Sequence, residues 1–230
     1  MAQHILPGTP PVELILRKSA RARRISLRVS RLDGRVTLTM PPYASEREAL
    51  AFAAEKADWL RRHLAARPAE TRVSVGYELP VEGRMLTLQS VDHGRAPRIE
   101  GDLFLIPGLE ARAATRAAAF LKLMARDRLA EASDRYSAKL GRPYTSLTLR
   151  DTRSRWGSCT TEGALMYSWR LIMAPPEVLE YVAAHEVAHL AEMNHSPAFW
   201  KTVGRLYGPY AEARAWLKRE GHRLHHYRFD

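Results

Sequence analysis

Residues 183–200, AAHEVAHLAEMNHSPAFW, constrain this chain more than any other stretch. They place His185, Glu186 and His189 as H-E-x-x-H in an apolar run, with His195 six residues beyond His189. Positions four apart share a helix face, so a helix here aims both imidazoles one way, with Glu186 about 100° round the axis. Pro175 and Pro176 precede the run, Glu177 and Glu180 fall near its start, and Val178, Leu179, Val182 and Val187 supply apolar positions. Ala183, Ala184, Val187, Ala188 and Leu190 surround the two histidines and predict a buried helix. Two histidines and a glutamate on such a helix need a partner to offset their lost hydration. Two neutral imidazoles beside a carboxylate suit a catalytic metal, which wants one more protein ligand and an open fourth position.

The third ligand has several candidates. Met193-Asn194 reads as the helix end and Ser196-Pro197 as the N-cap and first residue of the next helix, which puts His195 in a tight connection. Many H-E-x-x-H sites instead take a glutamate from further along, and Glu192, Glu212 and Glu220 are available. A donor to a developing oxyanion is also wanted; Arg155, Tyr207 and Tyr210 are the candidates. Trp156, Trp169 and Trp200 read as core residues, and Cys159 as a small buried one.

A single cysteine in 230 residues excludes an internal disulfide framework and a cysteine-based zinc cluster. The N-terminal MAQHILPGTPPVEL has no charged region followed by an apolar run, so no signal peptide is expected. No stretch approaches the ~18 apolar residues of a membrane span, which makes the cytoplasm the expected compartment and a membrane an unexpected partner. Lys and Arg number 36 against 25 Asp and Glu, a net +11. Much of the excess lies at Arg17, Lys18, Arg21, Arg23, Arg24, Arg28, Arg31 and Arg35. Such a face can bind nucleic acid or simply be solvated; no base-reading motif accompanies it.

Alternating apolar residues predict strands at 12–18, 23–29 and 35–40, with Asp33-Gly34 as a hairpin turn between the last two. Ser45 and Glu48 form a capping box for a helix to about Ala66, ended by Pro68. Strands follow across 73–106, then one long helix from Glu110 to about Leu140, and strands at 146–150 and 164–172. The motif helix and two more helices, 197 to about 207 and 209 to 220, complete an α+β chain. A β-rich half, 1–107 with one helix at about 45–66, and an α+β half carrying the chemistry, 108–230, are the expected domains. If the 164–172 strand is a sheet edge beside the metal, an extended peptide can pair with it.

RWGSC (155–159), SWRLI (168–172), YVAAHEVAHL (181–190) and MNHSPAFW (193–200) together resemble the YgjP-like family of zinc metallopeptidases, as do RARRISLRV (21–29) and VTLTMPP (36–42) nearer the start. The resemblance spans nearly the whole chain. That family is similar to the SprT-like and Wss-type proteases, which act on proteins crosslinked to DNA. The resemblance implies a zincin-like fold, one zinc ion per chain on His185, His189 and His195, and Glu186 as general acid and base on a peptide or protein substrate. Ser168 departs from the family pattern, where Asn precedes Trp-Arg. Two other functions compete with a zinc endopeptidase: a nucleic-acid-associated binding protein with a structural zinc, and a protease recruited to DNA by its basic face.

Overall fold

The computed structural model describes residues 2–30, 34–65 and 71–230. Among these the chain is mixed α+β, with four small sheets and six α-helices. It divides into two compact units, Met1–Ala69 and Glu70–Asp230. No helix among the described residues is long and apolar enough to cross a membrane.

In the first unit, strands β1 (Ala2–Leu6), β2 (Val12–Lys18), β3 (Ser26–Val29) and β4 (Val36–Met40) form one sheet in the order β1-β2-β4-β3. Strand alternation turns Val12, Leu14, Leu16, Val36, Leu38 and Met40 to one buried face. Helices α1 (Glu46–Glu55) and α2 (Ala57–Ala65) cover that face with Ala49, Ala53 and Leu60. The capping box forms: the Glu48 amide donates to Ser45 Oγ at 3.2 Å and the Ser45 amide to the Glu48 carboxylate at 2.8 Å. One helix was expected here and two are found, joined at Lys56 with φ −93° and ψ 10°. Hydrogen bonds from Lys56 to Phe52 and from Leu60 to Lys56 still run through the joint, which makes it a kink. β3 and β4 pair antiparallel. The hairpin residue Asp33 between them and the expected helix end at Ala66–Pro68 lie outside the described residues.

The second unit opens with β5 (Thr71–Arg72) and a four-stranded sheet of β6 (Glu78–Val81), β7 (Arg84–Val91), β8 (Arg98–Glu100) and β9 (Leu103–Pro107). A short 3-10 turn leads into α3 (Ala113–Leu140), which closes at Gly141 in the left-handed region, φ 77°. The buried face of the sheet (Leu79, Val81, Leu86, Leu88, Phe104, Ile106) shares one core with Ala117, Leu121, Ala125 and Leu129 of α3. That shared core is why the chain divides near residue 69. The boundary expected at 107/108 falls inside the second unit, because a sheet with an apolar face belongs to whatever covers it.

Strands β10 (Ser146–Arg150), β11 (Gly157–Cys159) and β12 (Ala164–Ser168) form a sheet in the order β10-β12-β11. β12 is therefore central, parallel to β10 and antiparallel to β11. The strand expected to run to 172 stops at Ser168, and Trp169–Met173 wind into a 3-10 helix. All five of those residues are buried, a demand that an alternating strand with one open face does not meet. Helices α4 (Pro176–Ala188), α5 (Pro197–Leu206) and α6 (Ala211–Glu220) follow, then a 3-10 turn and β13 (Tyr227–Arg228), which pairs with β5.

Arg170 ties this region together. Its Nε and Nη2 donate to the two Asp151 carboxylate oxygens at 2.6 and 3.0 Å, and its Nη1 to the carbonyls of Leu224 and Tyr227 at 2.8 and 2.9 Å. The Arg170 side chain is only 9% exposed, so these groups would be left unsatisfied without it. Arg170→Ala should lower the unfolding free energy in urea by about 2–3 kcal/mol, and Asp151→Asn by less because Asp151 is half exposed. Wild-type stability in Arg170→Ala would mean that the C-terminal segment is anchored by other contacts.

Candidate active site

α4 begins on Pro175 and Pro176, whose fixed φ and absent N–H suit a helix start. It is buried nearly all round: Val178, Leu179, Tyr181, Val182, Ala183, Ala184, Val187 and Ala188 are all covered. His185 and Glu186 lie in its last turn and His189 is its C-cap. The chain then turns back through 3-10-type bonds, Leu190 to Val187 and Ala191 to Ala188. Asn194 accepts from the Ser196 amide at 3.1 Å, and Ser196 Oγ accepts from the Phe199 amide at 3.3 Å to cap α5. His195 is held between these two caps.

The three histidines converge. Their ring centroids lie 5.1, 5.1 and 4.9 Å apart, and one nitrogen from each falls within 4.8 Å of the others. Nε2 of His185 and Nε2 of His195 are 3.1 Å apart. Two nitrogens bound to one tetrahedral zinc at ~2.0–2.1 Å lie about 3.3 Å apart, so the spacing fits a shared cation. His189 Nδ1 faces the Glu192 carbonyl at 2.9 Å. The bond puts the proton on Nδ1 and leaves the Nε2 lone pair free, the arrangement a metal ligand needs. Burial pushes His185 down to about 3, helped by His189, His195 and Arg214, and lowers His189 as well. Both rings are thus neutral, which is the ligating form. Neither Glu192, Glu212 nor Glu220 joins this group among the described residues; Glu220 pairs with Arg219 and Arg223.

Glu186 is 6% exposed and its side chain lies against Gly157 of β11. Burial pushes its carboxyl up to about 8, with the Arg155 charge pulling the other way. Arg155 itself is exposed, in the loop before β11. The Tyr207 hydroxyl donates to the Glu177 carbonyl at 2.9 Å and is therefore committed to the backbone. Tyr210 stacks on Tyr181 and Trp200, with centroids at 6.1 and 5.2 Å. Cys159 is half-buried, and burial beside Glu186 raises its thiol to about 11, leaving it unreactive at neutral pH. Trp169 is core, as expected, while Trp156 packs against His225. The Ser168 hydroxyl is buried with no hydrogen-bond partner among the described residues.

Three neighbours of the site escape a reading of the sequence. Phe199 touches all three histidine rings, at 4.9, 4.4 and 4.8 Å, and forms the apolar wall behind them. Tyr181 sits one turn before His185, ring to ring at 5.9 Å, and its i, i+4 spacing from His185 was the available signal. Gly157 lies against Glu186; it stands in the RWGSC motif, but no local pattern there points to that contact.

No curated protein matches the chain. A solved structure, the metallopeptidase zymogen of Pyrococcus abyssi abylysin, is similar at 19% identity over 40% of this chain and 95% of that one, with a TM-score of 0.35. The model of the YgjP-like metallopeptidase domain matches residues 23–220, which takes in the three converging histidines, Glu186 and most of both compact units. The chain belongs to the YgjP-like metallopeptidase family.

Proposed function

We propose that the protein is a zinc-dependent endopeptidase whose chemistry resides in the unit Glu70–Asp230, with the zincin-like use of a helix and an adjoining sheet edge. The observation that carries this reading is the convergence of His185, His189 and His195 with a buried carboxylate, Glu186, beside them. The three histidines would hold one zinc ion. Bound there, the ion would supply Lewis acidity toward a peptide carbonyl and lower the pKa of a water molecule. A structural zinc would need four protein ligands and no base; the group contains three histidines, and the buried Glu186 is next to His185 in the chain.

Glu186 takes the proton of the attacking water and returns it to the leaving amine. Its burial favours the protonated acid that the second step requires. Arg155 and Tyr210 remain the donors we assign to the oxyanion or the substrate, since Tyr207 spends its hydroxyl on Glu177. The peptide-pairing edge also moves. β12 is flanked on both sides, so an extended substrate has β11 to pair with, whose outer side meets no strand among the described residues.

A second reading, recruitment to nucleic acid, draws on the first unit. It holds 13 Lys and Arg against 6 Asp and Glu, a net +7 of the chain's +11. Arg17, Lys18, Arg21, Arg23, Arg24 and Arg28 are all exposed, and none makes an ion pair among the described residues. Five of these six are arginines, whose guanidinium fork suits phosphate.

Three outcomes follow. Purified protein should carry about one zinc by elemental analysis, and His195→Ala should weaken metal binding by more than ~100-fold. A His195→Ala protein that keeps stoichiometric zinc, alongside a Glu212→Ala protein that loses it, would move the third ligand. Glu186→Gln should retain zinc and fold while kcat drops by ~10²–10⁴, because an amide cannot shuttle the proton. Wild-type turnover of a denatured protein by that variant would remove Glu186 from the mechanism. If the basic face engages about six phosphates, binding to labelled DNA should weaken by ~10³ or more between about 50 and 200 mM salt. Absence of binding at the low-salt end would leave those arginines as solvated surface.

A further inference from the structure

Glu186 is held in an unusual way for a buried carboxylate. No hydrogen bond reaches it among the described residues: neither a backbone amide nor a side chain donates to it. Its place is set by packing alone. The nearest constraint is Gly157 on β11. A Cβ built on Gly157 would lie 2.5 Å from Cγ of Glu186, 2.7 Å from Cδ and 2.6 Å from Oε1. Non-bonded carbons approach to about 3.5–4.0 Å, so a single methyl group there overlaps the glutamate by about 1 Å.

The glycine is not there for its backbone. Its φ lies outside the left-handed region, unlike Gly141 and Gly163, so any residue's main chain could follow the same path. Nor can β11 back away. Gly157, Ser158 and Cys159 are in register with Tyr167, Met166 and Leu165 of β12, and the Trp156 carbonyl accepts from the Ser168 amide at 2.8 Å. The Trp156 ring is wedged against Gly221, where an added Cβ would come within 3.0 Å of it, and lies 5.1 Å from the His225 ring. α4 is fixed by burial on nearly every side. With strand and helix both pinned, the part that must yield to a side chain at 157 is the Glu186 carboxylate.

We infer that Gly157 is a positioning residue: its missing side chain leaves the space in which the Glu186 carboxylate is held at its working position beside the three histidines. This rests on Glu186 acting as the base. Any side chain at 157 would shift that carboxylate by about 1 Å, and misplacement of that size costs ~10²-fold in rate.

The test is a double-mutant cycle on Gly157→Ala and Glu186→Ala, with each protein purified in its zinc-loaded form. Gly157→Ala should keep about one zinc per chain, lower the melting midpoint by on the order of 5 °C, and lower kcat on dye-labelled casein about 100-fold with KM nearly unchanged. In the Glu186→Ala background, where the clashing atoms are gone, adding Ala at 157 should move the melting midpoint by no more than about 1 °C. A crystal structure of Gly157→Ala should show the Glu186 carboxylate displaced and β11 in place. Additive losses in the melting cycle, or an undisplaced carboxylate, would overturn the inference. So would kcat within about threefold of wild type for Gly157→Ala when Glu186→Gln is inactive. Full activity in Glu186→Gln would instead overturn the assignment of the base, while the melting cycle and the crystal structure would still report on the packing.

Discussion

The burial of α4 governs the second unit. A helix with apolar residues on nearly every side cannot rest on a surface; it needs cover all round. α3, α5, α6, β11 and the 3-10 segment Trp169–Met173 supply that cover. The same burial strips water from His185, Glu186 and His189, which leaves the imidazoles neutral and the carboxyl raised to about 8. The chemistry of the site is thus a by-product of packing. Desolvation is the largest influence on both histidines, with the Arg214 charge adding to it at His185.

Directional interactions appear where the chain has to turn. Arg170 pins the 3-10 segment to the C-terminal residues through Leu224 and Tyr227. Asn194 and Ser196 fix the connection that carries His195. Phe199 then stacks on His189 and meets His185 and His195 edge-on from the first turn of α5, so the N-cap that sets the angle of α5 also sets the wall of the site. Apolar packing gives the frame, and a few hydrogen bonds set its corners.

What could be read from the sequence was local. The capping box of Ser45 and Glu48 needs only three-residue spacing, and the face shared by His185 and His189 only the helical repeat. The misses were long-range. Whether 78–107 belongs with what precedes or follows it depends on the apolar face of α3, which no window of the strands contains. Whether the 164–168 strand is central or edge depends on β10 and β11 meeting it from opposite sides. The strand signal past Ser168 failed because every side chain there is buried, a pattern that periodicity does not separate from a helix or a turn. Phe199 and Gly157 carry no periodic signature at all; one looks like core and the other like a turn.

The three histidines are unequal in rigidity. Two sit at the end of a buried helix, four residues apart, while His195 is exposed on a short connection held by two caps. An ion shared among them would act as a reversible crosslink between residues 185 and 195. Closing that ten-residue loop would restrict the unfolded chain and order the connection at once, so occupancy and local folding would become one equilibrium with a common free energy. The start of α5, with Phe199 and Trp200 on it, would then tighten or loosen with the metal supply, and a bound ion would be felt as the stiffness of that wall.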